Sequence, residues 1–204
     1  MRVNKKKFIY LISPNKIRKS FYSDLIGVLK LRKVSFFQLR LKNMSFKKKL
    51  VIGKKIKKIC KRYNTKFLIN DDVLLAKKLN TDGCHLGQSD MQLIKARKII
   101  KKKIIGITCH NSIKLAKSAI KNKADYLAFG AFNSSKTKRT KFKANLILLK
   151  KIKKITNTPI VAIGGINSAN YKKLLLNKAN FLAISGYIWN NKKLKPIEAI
   201  KKLK

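Results

Sequence analysis

Four of the seven acidic residues in this chain, Asp71, Asp72, Asp82 and Asp90, fall within one stretch of twenty positions, in a sequence that carries 52 Lys and Arg. A chain that keeps its carboxylates together while filling the rest of its length with cations marks that stretch as the seat of its chemistry. Asp71 and Asp90 follow two neighbouring apolar runs, 66–70 and 83–86. A hard cation such as Mg²⁺ keeps several waters and takes one or two carboxylates plus phosphate oxygens, so two Asp at the ends of adjacent runs suffice as metal ligands. Asn70 beside them offers a polar contact to the bound molecule. The competing role is helix capping, since Asp72 precedes Val73-Leu74-Leu75-Ala76 and Asp90 precedes Met91. Asp72 is assigned to a cap, and Asp82-Gly83 to the turn before a strand.

Three further groups suit a phosphorylated ligand. Gln38, Arg40 and Lys42 alternate with Leu39 and Leu41, so on an extended chain they share one direction, Arg40 able to make a forked contact to a diphosphate and Lys42 to act as a point charge. Ser135-Lys136-Thr137-Lys138 brings two hydroxyls and cations into one loop, where they can hold a phosphate while Lys138 offsets leaving-group charge. Gly164-Gly165 and Ser185-Gly186 each follow an apolar run and offer backbone N–H groups to a second phosphate. Cys84-His85 and Cys109-His110 raise a zinc reading, but neighbours on a strand face opposite ways and four ligands would not converge. The two His read instead as polar residues at a rim, with His110 able to move a proton.

These groups must be positioned by regular elements. Apolar runs at 8–12, 35–40, 66–70, 83–86, 104–108, 126–130, 160–163 and 181–185 have the short, β-branched and aromatic character of parallel strands buried on both faces. Between them lie Lys-studded segments with apolar positions at helical spacing, such as 46–63, 89–101, 112–123 and 145–155. Eight such pairs without a linker predict an α/β chain folded as one (β/α)₈ barrel over residues 1–204, and an open doubly wound sheet would need a dinucleotide fingerprint that is not there. In such a barrel the site gathers at the strand C-termini, and the polar groups named above lie at the ends of runs or in the loops after them.

The charge of +45 attracts polyanions, and a non-catalytic polyanion-binding barrel is one reading of it. Lys far outnumbers Arg, however, and crowds the same segments as Ile and Asn, with no aromatic platform interleaved, so no specific nucleic-acid partner is expected. Three widely spaced Cys, none in a Cys-x-x-Cys pair, indicate free thiols and a cytoplasmic location. The apolar run after Lys5-Lys6-Lys7 ends at Ser13-Pro14-Asn15, too early for a signal peptide, and no run approaches a membrane span.

Asn-Asp-Asp at 70–72, Asp-Gly-x-His-Leu-Gly-Gln-x-Asp at 82–90, Gly-Ile-Thr-x-His at 106–110, Ala-Asp-Tyr at 124–126 with Gly130, Ser-x-Thr-Lys at 135–138 and Ala-Ile-Gly-Gly-Ile at 162–166 follow one another in an order that resembles the thiamine phosphate synthase and thiazole tautomerase family. The resemblance runs from about Phe36 to Ile188. It implies a Mg²⁺-dependent transferase on a (β/α)₈ barrel that joins hydroxymethylpyrimidine diphosphate to a thiazole phosphate and releases diphosphate. It further implies that Gln38, Arg40, Lys42, Asn70, Thr108 and Lys138 hold the pyrimidine diphosphate. Asp71 and Asp90 would bind Mg²⁺, and Ser135, Thr137, Gly165, Ser185 and Gly186 the thiazole phosphate. Thr108 and Ser135 exchange the family's usual Ser and Thr, Ala131 stands where Pro is usual, and Gly186 where Ser is common. A related thiazole tautomerase shares the barrel and the fifth-strand His but typically lacks the paired Asp, so the resemblance favours the synthase.

Overall fold

Short runs of Ile, Val, Leu, Phe and Tyr separated by amphipathic segments have one economical way to bury both strand faces, which is to wrap the strands into a cylinder and the helices around it. The computed structural model describes residues 7–134 and 141–203, and its strands close into a parallel barrel in chain order. They are β1 (Ile9–Ile12), β2 (Val34–Leu39), β3 (Lys66–Asn70), β4 (Gly83–Leu86), β5 (Ile104–His110), β6 (Tyr126–Gly130), β7 (Ile160–Ile163) and β8 (Phe181–Ile184). The helices are α1 (Phe21–Lys30), α2 (Phe46–Arg62), α3 (Val73–Leu79), α4 (Leu93–Ile100), α5 (Ile113–Lys121), α6 (Leu146–Ile155), α7 (Tyr171–Leu176), α8 (Gly186–Trp189) and α9 (Pro196–Lys201). The predicted (β/α)₈ barrel is therefore the fold. Four predicted strands carry the observed bounds unchanged, and the others differ by one or two residues at an end.

Strand alternation sorts the side chains. Tyr10, Phe36, Leu68, Tyr126, Val161 and Phe181 fill the cylinder, while Leu11, Phe37, Ile69, Cys84, Cys109 and Leu127 pack outward against the helices. Helix starts follow local chemistry: Ser45, Asp72, Ser112 and Asn145 each accept a hydrogen bond from the backbone N–H three residues on. Asp72 therefore has the capping role read from sequence. Asp90 does not open a helix, because α4 begins at Leu93.

The N-terminal end of the barrel carries a repeated device. The residue just before β4, β6 and β8 reaches across to the preceding strand: Asp82 accepts from Phe67 N (2.9 Å), Asp125 from Ile105 N (2.8 Å) and Asn180 from Ile160 N (2.8 Å). Arg97 ties Asp125 (2.6 Å) to the carbonyls of Lys101 and Lys103. Two of the chain's few acids thus serve strand alignment at the end opposite the site. Close strand approach also fixes Gly83, where an added Cβ would lie 1.9 Å from the Ile104 carbonyl oxygen. Because that obstacle is backbone, Gly83→Ala is expected to cost at least about 2 kcal/mol and to lower Tm by about 4–8 °C in thermal unfolding.

Candidate active site

At the C-terminal end of the barrel the β2 exit behaves as its alternation requires. Leu39 and Leu41 are buried, and the three polar residues between and beside them face the site side. Gln38 is only 2% exposed, its amide nitrogen donating to the Tyr10 hydroxyl. Arg40 is fixed at its backbone by Ser13, whose hydroxyl accepts from Arg40 N (2.9 Å) and donates to Arg40 O (3.3 Å), while Nη1 donates to Asn15 Oδ1 (3.3 Å). Lys42 Nζ lies 4.0 Å from Asp71 Oδ2. The Ser13-Pro14-Asn15 segment, legible in sequence only as the end of an apolar run, thus shapes the cation side of the site.

Asp71 leaves β3 through a left-handed turn (φ 64°), its N–H donating to the His85 carbonyl (2.8 Å); Asp is among the residues that tolerate this region. Asp90 folds back on the β4 exit, Oδ2 accepting from Gly87 N at 2.6 Å, and a Cβ on Gly87 would meet that oxygen at 3.0 Å. The two carboxyl groups act on one another. Asp71 is pushed up to about 6, first by burial, then by the hydrogen bond to Asp90 and by its charge, against the opposing pull of Lys42 and Arg40. A pair of neighbouring, partly buried carboxylates is unfavourable alone, and Asp71 and Asp90 would hold a divalent cation whose charge offsets their repulsion. The donor set fits a magnesium-type ion that completes its shell with water and phosphate oxygens. Among the described residues no group of three or more Asp, Glu, His or Cys converges, so a zinc-type cage is not offered.

Two cavities open here. One of about 460 Å³ is lined by Lys42, Lys49, Asn70, Asp71 and Met91. The other, about 420 Å³, is the barrel mouth itself, with Arg40, Thr108, His110, Gly165, Ser185 and Gly186 on its walls. Gly164 and Gly165 adopt φ 108° and 56°, and a Cβ on either would strike the loop after β6, at Ala131 Cβ (2.4 Å) and Ser134 O (2.3 Å). Only Gly permits that close packing. Ser185 donates its hydroxyl to Ser13 O (3.1 Å), joining the first and last strand exits. Ala131, in place of the usual Pro, donates N–H to Phe142 O (3.0 Å), a bond Pro could not make, and accepts from Ala144 N (2.9 Å). Ser135, Thr137 and Lys138 lie outside the described residues.

His85, expected at a rim, lies deeper. His85 points into the cylinder, with Nδ1 2.9 Å from the Tyr126 hydroxyl and Nε2 2.8 Å from Thr108 Oγ1. Cys84, on the opposite face, is wholly buried under the helices, and burial pushes its thiol up to about 12. His110 stands at the mouth, stacked on Phe142 at 4.1 Å. Tyr10, Tyr126, Asn167, Tyr187 and Asn190 were not singled out as site residues. The last three line the mouth, and the Tyr187 hydroxyl is buried without a partner among the described residues. No spacing rule marks them, because the barrel assembles them from separate loops. Asp72, adjacent to Asp71 but committed to Leu75 N at 2.9 Å, provides a control. Asp72→Ala is expected to lower stability by about 1 kcal/mol in urea unfolding while turnover changes less than about twofold.

This geometry can be set beside known proteins. The family model described as thiamine monophosphate synthase matches residues 9–188. The chain is 72% identical to the thiamine-phosphate synthase of Pelagibacter ubique (strain HTCC1062), over the full length of both. It is 36% identical to the enzyme of that name from Erythrobacter litoralis (strain HTCC2594), over 94% of this chain and 92% of the relative. A solved thiamine phosphate pyrophosphorylase from Pyrococcus furiosus superposes with a TM-score of 0.86 at 27% identity, covering 97% of this chain and 94% of that one. The barrel is shared more widely: an orotidine 5'-phosphate decarboxylase from Pyrococcus horikoshii matches with a TM-score of 0.66 at 12% identity, which speaks to the fold alone. With the carboxylate pair, the glycine turn and the β2 cations gathered at one end of the same cylinder, the matched length settles the kinship: the chain belongs to the thiamine monophosphate synthase family.

Proposed function

We infer that this barrel joins an aminopyrimidine methyl diphosphate to a thiazole phosphate, giving thiamine phosphate and diphosphate. The observation that carries the reading is the gathering of Asp71, with Lys42 Nζ 4.0 Å from its Oδ2, and of Asp90 and Arg40 at neighbouring strand exits of one barrel end. The C–O bond to the diphosphate breaks with its electron pair going to oxygen, and the thiazole nitrogen then gives its lone pair to the methylene carbon. Catalysis of that exchange is chiefly stabilisation of charge on the leaving group. Arg40 and Lys42 supply fixed positive charge where the β2 exit aims them, and Lys138 is the further cation that the sequence places in the loop after β6. Asp71 and Asp90 would hold a magnesium ion, whose chemistry is neutralisation of the diphosphate oxygens. Asn70 and Thr108 offer polar contacts to the pyrimidine end, with Gln38 deeper in the cylinder. Gly165, Ser185 and Gly186 line the side assigned to the thiazole phosphate, and Ser135 and Thr137 are assigned to the same phosphate by the family resemblance alone. No proton need be removed in the bond-making step, which agrees with a site poor in free bases.

The test is product formation from the two phosphorylated precursors with and without Mg²⁺. Turnover indifferent to a chelator removes the metal from the mechanism. A thiazole tautomerase would instead depend on His110 and be insensitive to Asp90→Asn, while a non-catalytic polyanion binder would give salt-dependent retention on heparin and no product.

A further inference from the structure

Inside the cylinder, beneath the mouth, five polar groups form an unbroken chain through a space otherwise filled by apolar side chains. Gln38 Nε2 donates to the Tyr10 hydroxyl (2.9 Å), the Tyr10 and Tyr126 hydroxyls lie 2.8 Å apart, the Tyr126 hydroxyl lies 2.9 Å from His85 Nδ1, and His85 Nε2 lies 2.8 Å from Thr108 Oγ1. Packing holds the members in place. The two tyrosine rings meet edge to face at 5.7 Å, and the His85 ring stacks on Tyr126 at an interplanar angle of 11°. Gly106 makes room for the Tyr126 ring, since a Cβ there would fall 1.8 Å from its Cζ. Burial pushes both phenols far above their ordinary value, so each keeps its hydroxyl proton.

A chain of hydroxyls and an imidazole has two arrangements that leave no buried hydrogen without an acceptor, because a hydroxyl that accepted from both neighbours would strand its own hydrogen inside the cylinder. Gln38 turns its amide nitrogen, a donor only, toward Tyr10, and this sets the direction. Tyr10 then donates to Tyr126, Tyr126 to His85 Nδ1, and His85 Nε2–H to Thr108. At the two ends the Thr108 hydroxyl keeps its own hydrogen for another acceptor, and Gln38 Oε1 has no donor among the described residues. Turning the Gln38 amide over demands that all the bonds reverse together and that the His85 proton move to Nδ1.

We propose that Tyr10, Tyr126 and His85 are positioning residues that lock the hydrogen-bond polarity of the pocket, so that Gln38 presents an acceptor and Thr108 a donor, matching a 4-aminopyrimidine and rejecting its 4-oxo counterpart. The proposal rests on Gln38 and Thr108 as contacts to the pyrimidine. An exocyclic amine donates and the ring nitrogens accept. The 4-oxo ring puts a carbonyl where the amine stood, and a carbonyl against Gln38 Oε1 leaves two acceptors facing one another. A lone Gln could rotate its amide to suit either ring. This one is held by a chain of four bonds.

Two measurements test it. In the ¹⁵N-labelled free protein, NMR of His85 is expected to show Nε2 protonated and Nδ1 bare. Protonated Nδ1 in the wild-type protein overturns the proposal. In steady-state assays the wild-type enzyme is expected to favour the 4-amino over the 4-oxo diphosphate by ~10² or more in kcat/KM. Tyr126→Phe, which cuts the chain while keeping the ring, and Tyr10→Phe should each shrink that ratio by ~10-fold. An unchanged ratio in folded variants overturns the proposal. If neither variant folds, the wild-type tautomer decides it. Turnover of neither pyrimidine would refute the substrate reading and the specificity claim with it, and the tautomer would still report whether the chain runs as described.

Discussion

Asp71→Asn is expected to lower turnover by ~10² or more while making the protein harder to unfold above pH 6. Both effects come from one geometry. Burial first, and then the neighbouring Asp90, raise the proton affinity of the Asp71 carboxyl from the ordinary 3.8 to about 6. A group that binds its proton more tightly in the folded protein stabilises the fold fully below its unfolded value, and that contribution is lost as pH rises through the folded value. Across pH 4 to 6 the wild-type protein therefore loses stability that the amide variant, which has no proton to lose, retains. At a cost of about 1.4 kcal/mol per unit the full shift is about 3 kcal/mol, and contact of the carboxylate with solvent reduces this to about 1–2 kcal/mol. The corresponding gain in Tm is about 2–8 °C at pH 8, vanishing by pH 3. Mg²⁺ should act oppositely, raising the Tm of the wild-type protein and leaving that of the variant unmoved. Thermal scans over pH and Mg²⁺, beside turnover, check all three. A variant both inactive and less stable at pH 8 would mean that Asp71 serves packing rather than a ligand.

The pattern of strands was legible because a parallel barrel leaves each strand buried on both faces, which writes short unbroken apolar runs, and the intervening helices write a period of three to four. The polar exits were legible because alternation is strict: Gln38, Arg40 and Lys42 must share a direction once Leu39 and Leu41 are buried. What sequence misread were residues whose role depends on a partner far along the chain. His85 follows Cys84 and ends at a polar stretch, so it passes for a rim residue, and only the closed cylinder brings Tyr126, 41 positions on, to its ring. Asp90, by contrast, carries capping only as the competing role to metal binding, and its carboxylate turns back to Gly87 three residues earlier instead of opening α4. Asp125 carries no motif, and its alignment of β5 and β6 through Ile105 N is visible only in three dimensions.

Substitution of Arg40 should have the second large effect. Its guanidinium stands at the barrel mouth on a backbone that Ser13 holds from both sides, and it touches Asn15 by a single long hydrogen bond of 3.3 Å, so most of its donors remain for a ligand. Arg40→Met removes the charge while keeping a stem that can pack. The expected loss is ~10² in kcat, with a smaller change in KM, if the charge acts mainly on the departing diphosphate. Arg40→Lys restores the charge without the planar fork, and is expected to recover part of the loss but to stay about tenfold below wild type. A second reading separates a charge at the site from a merely structural Arg. Arg40 is one of the two cations that pull the Asp71 proton affinity down, so its removal should carry that carboxyl further up. Carbon-13 NMR of the Asp carboxyls reads this directly: the titration of Asp71 moves upward in Arg40→Met and not in Asp72→Ala. If Arg40→Met kept more than a third of wild-type turnover and left that titration in place, the guanidinium would lie outside the field that links Asp71, Asp90 and Lys42. The leaving-group mechanism would then have to rest on the remaining cations of the β2 and β6 exits.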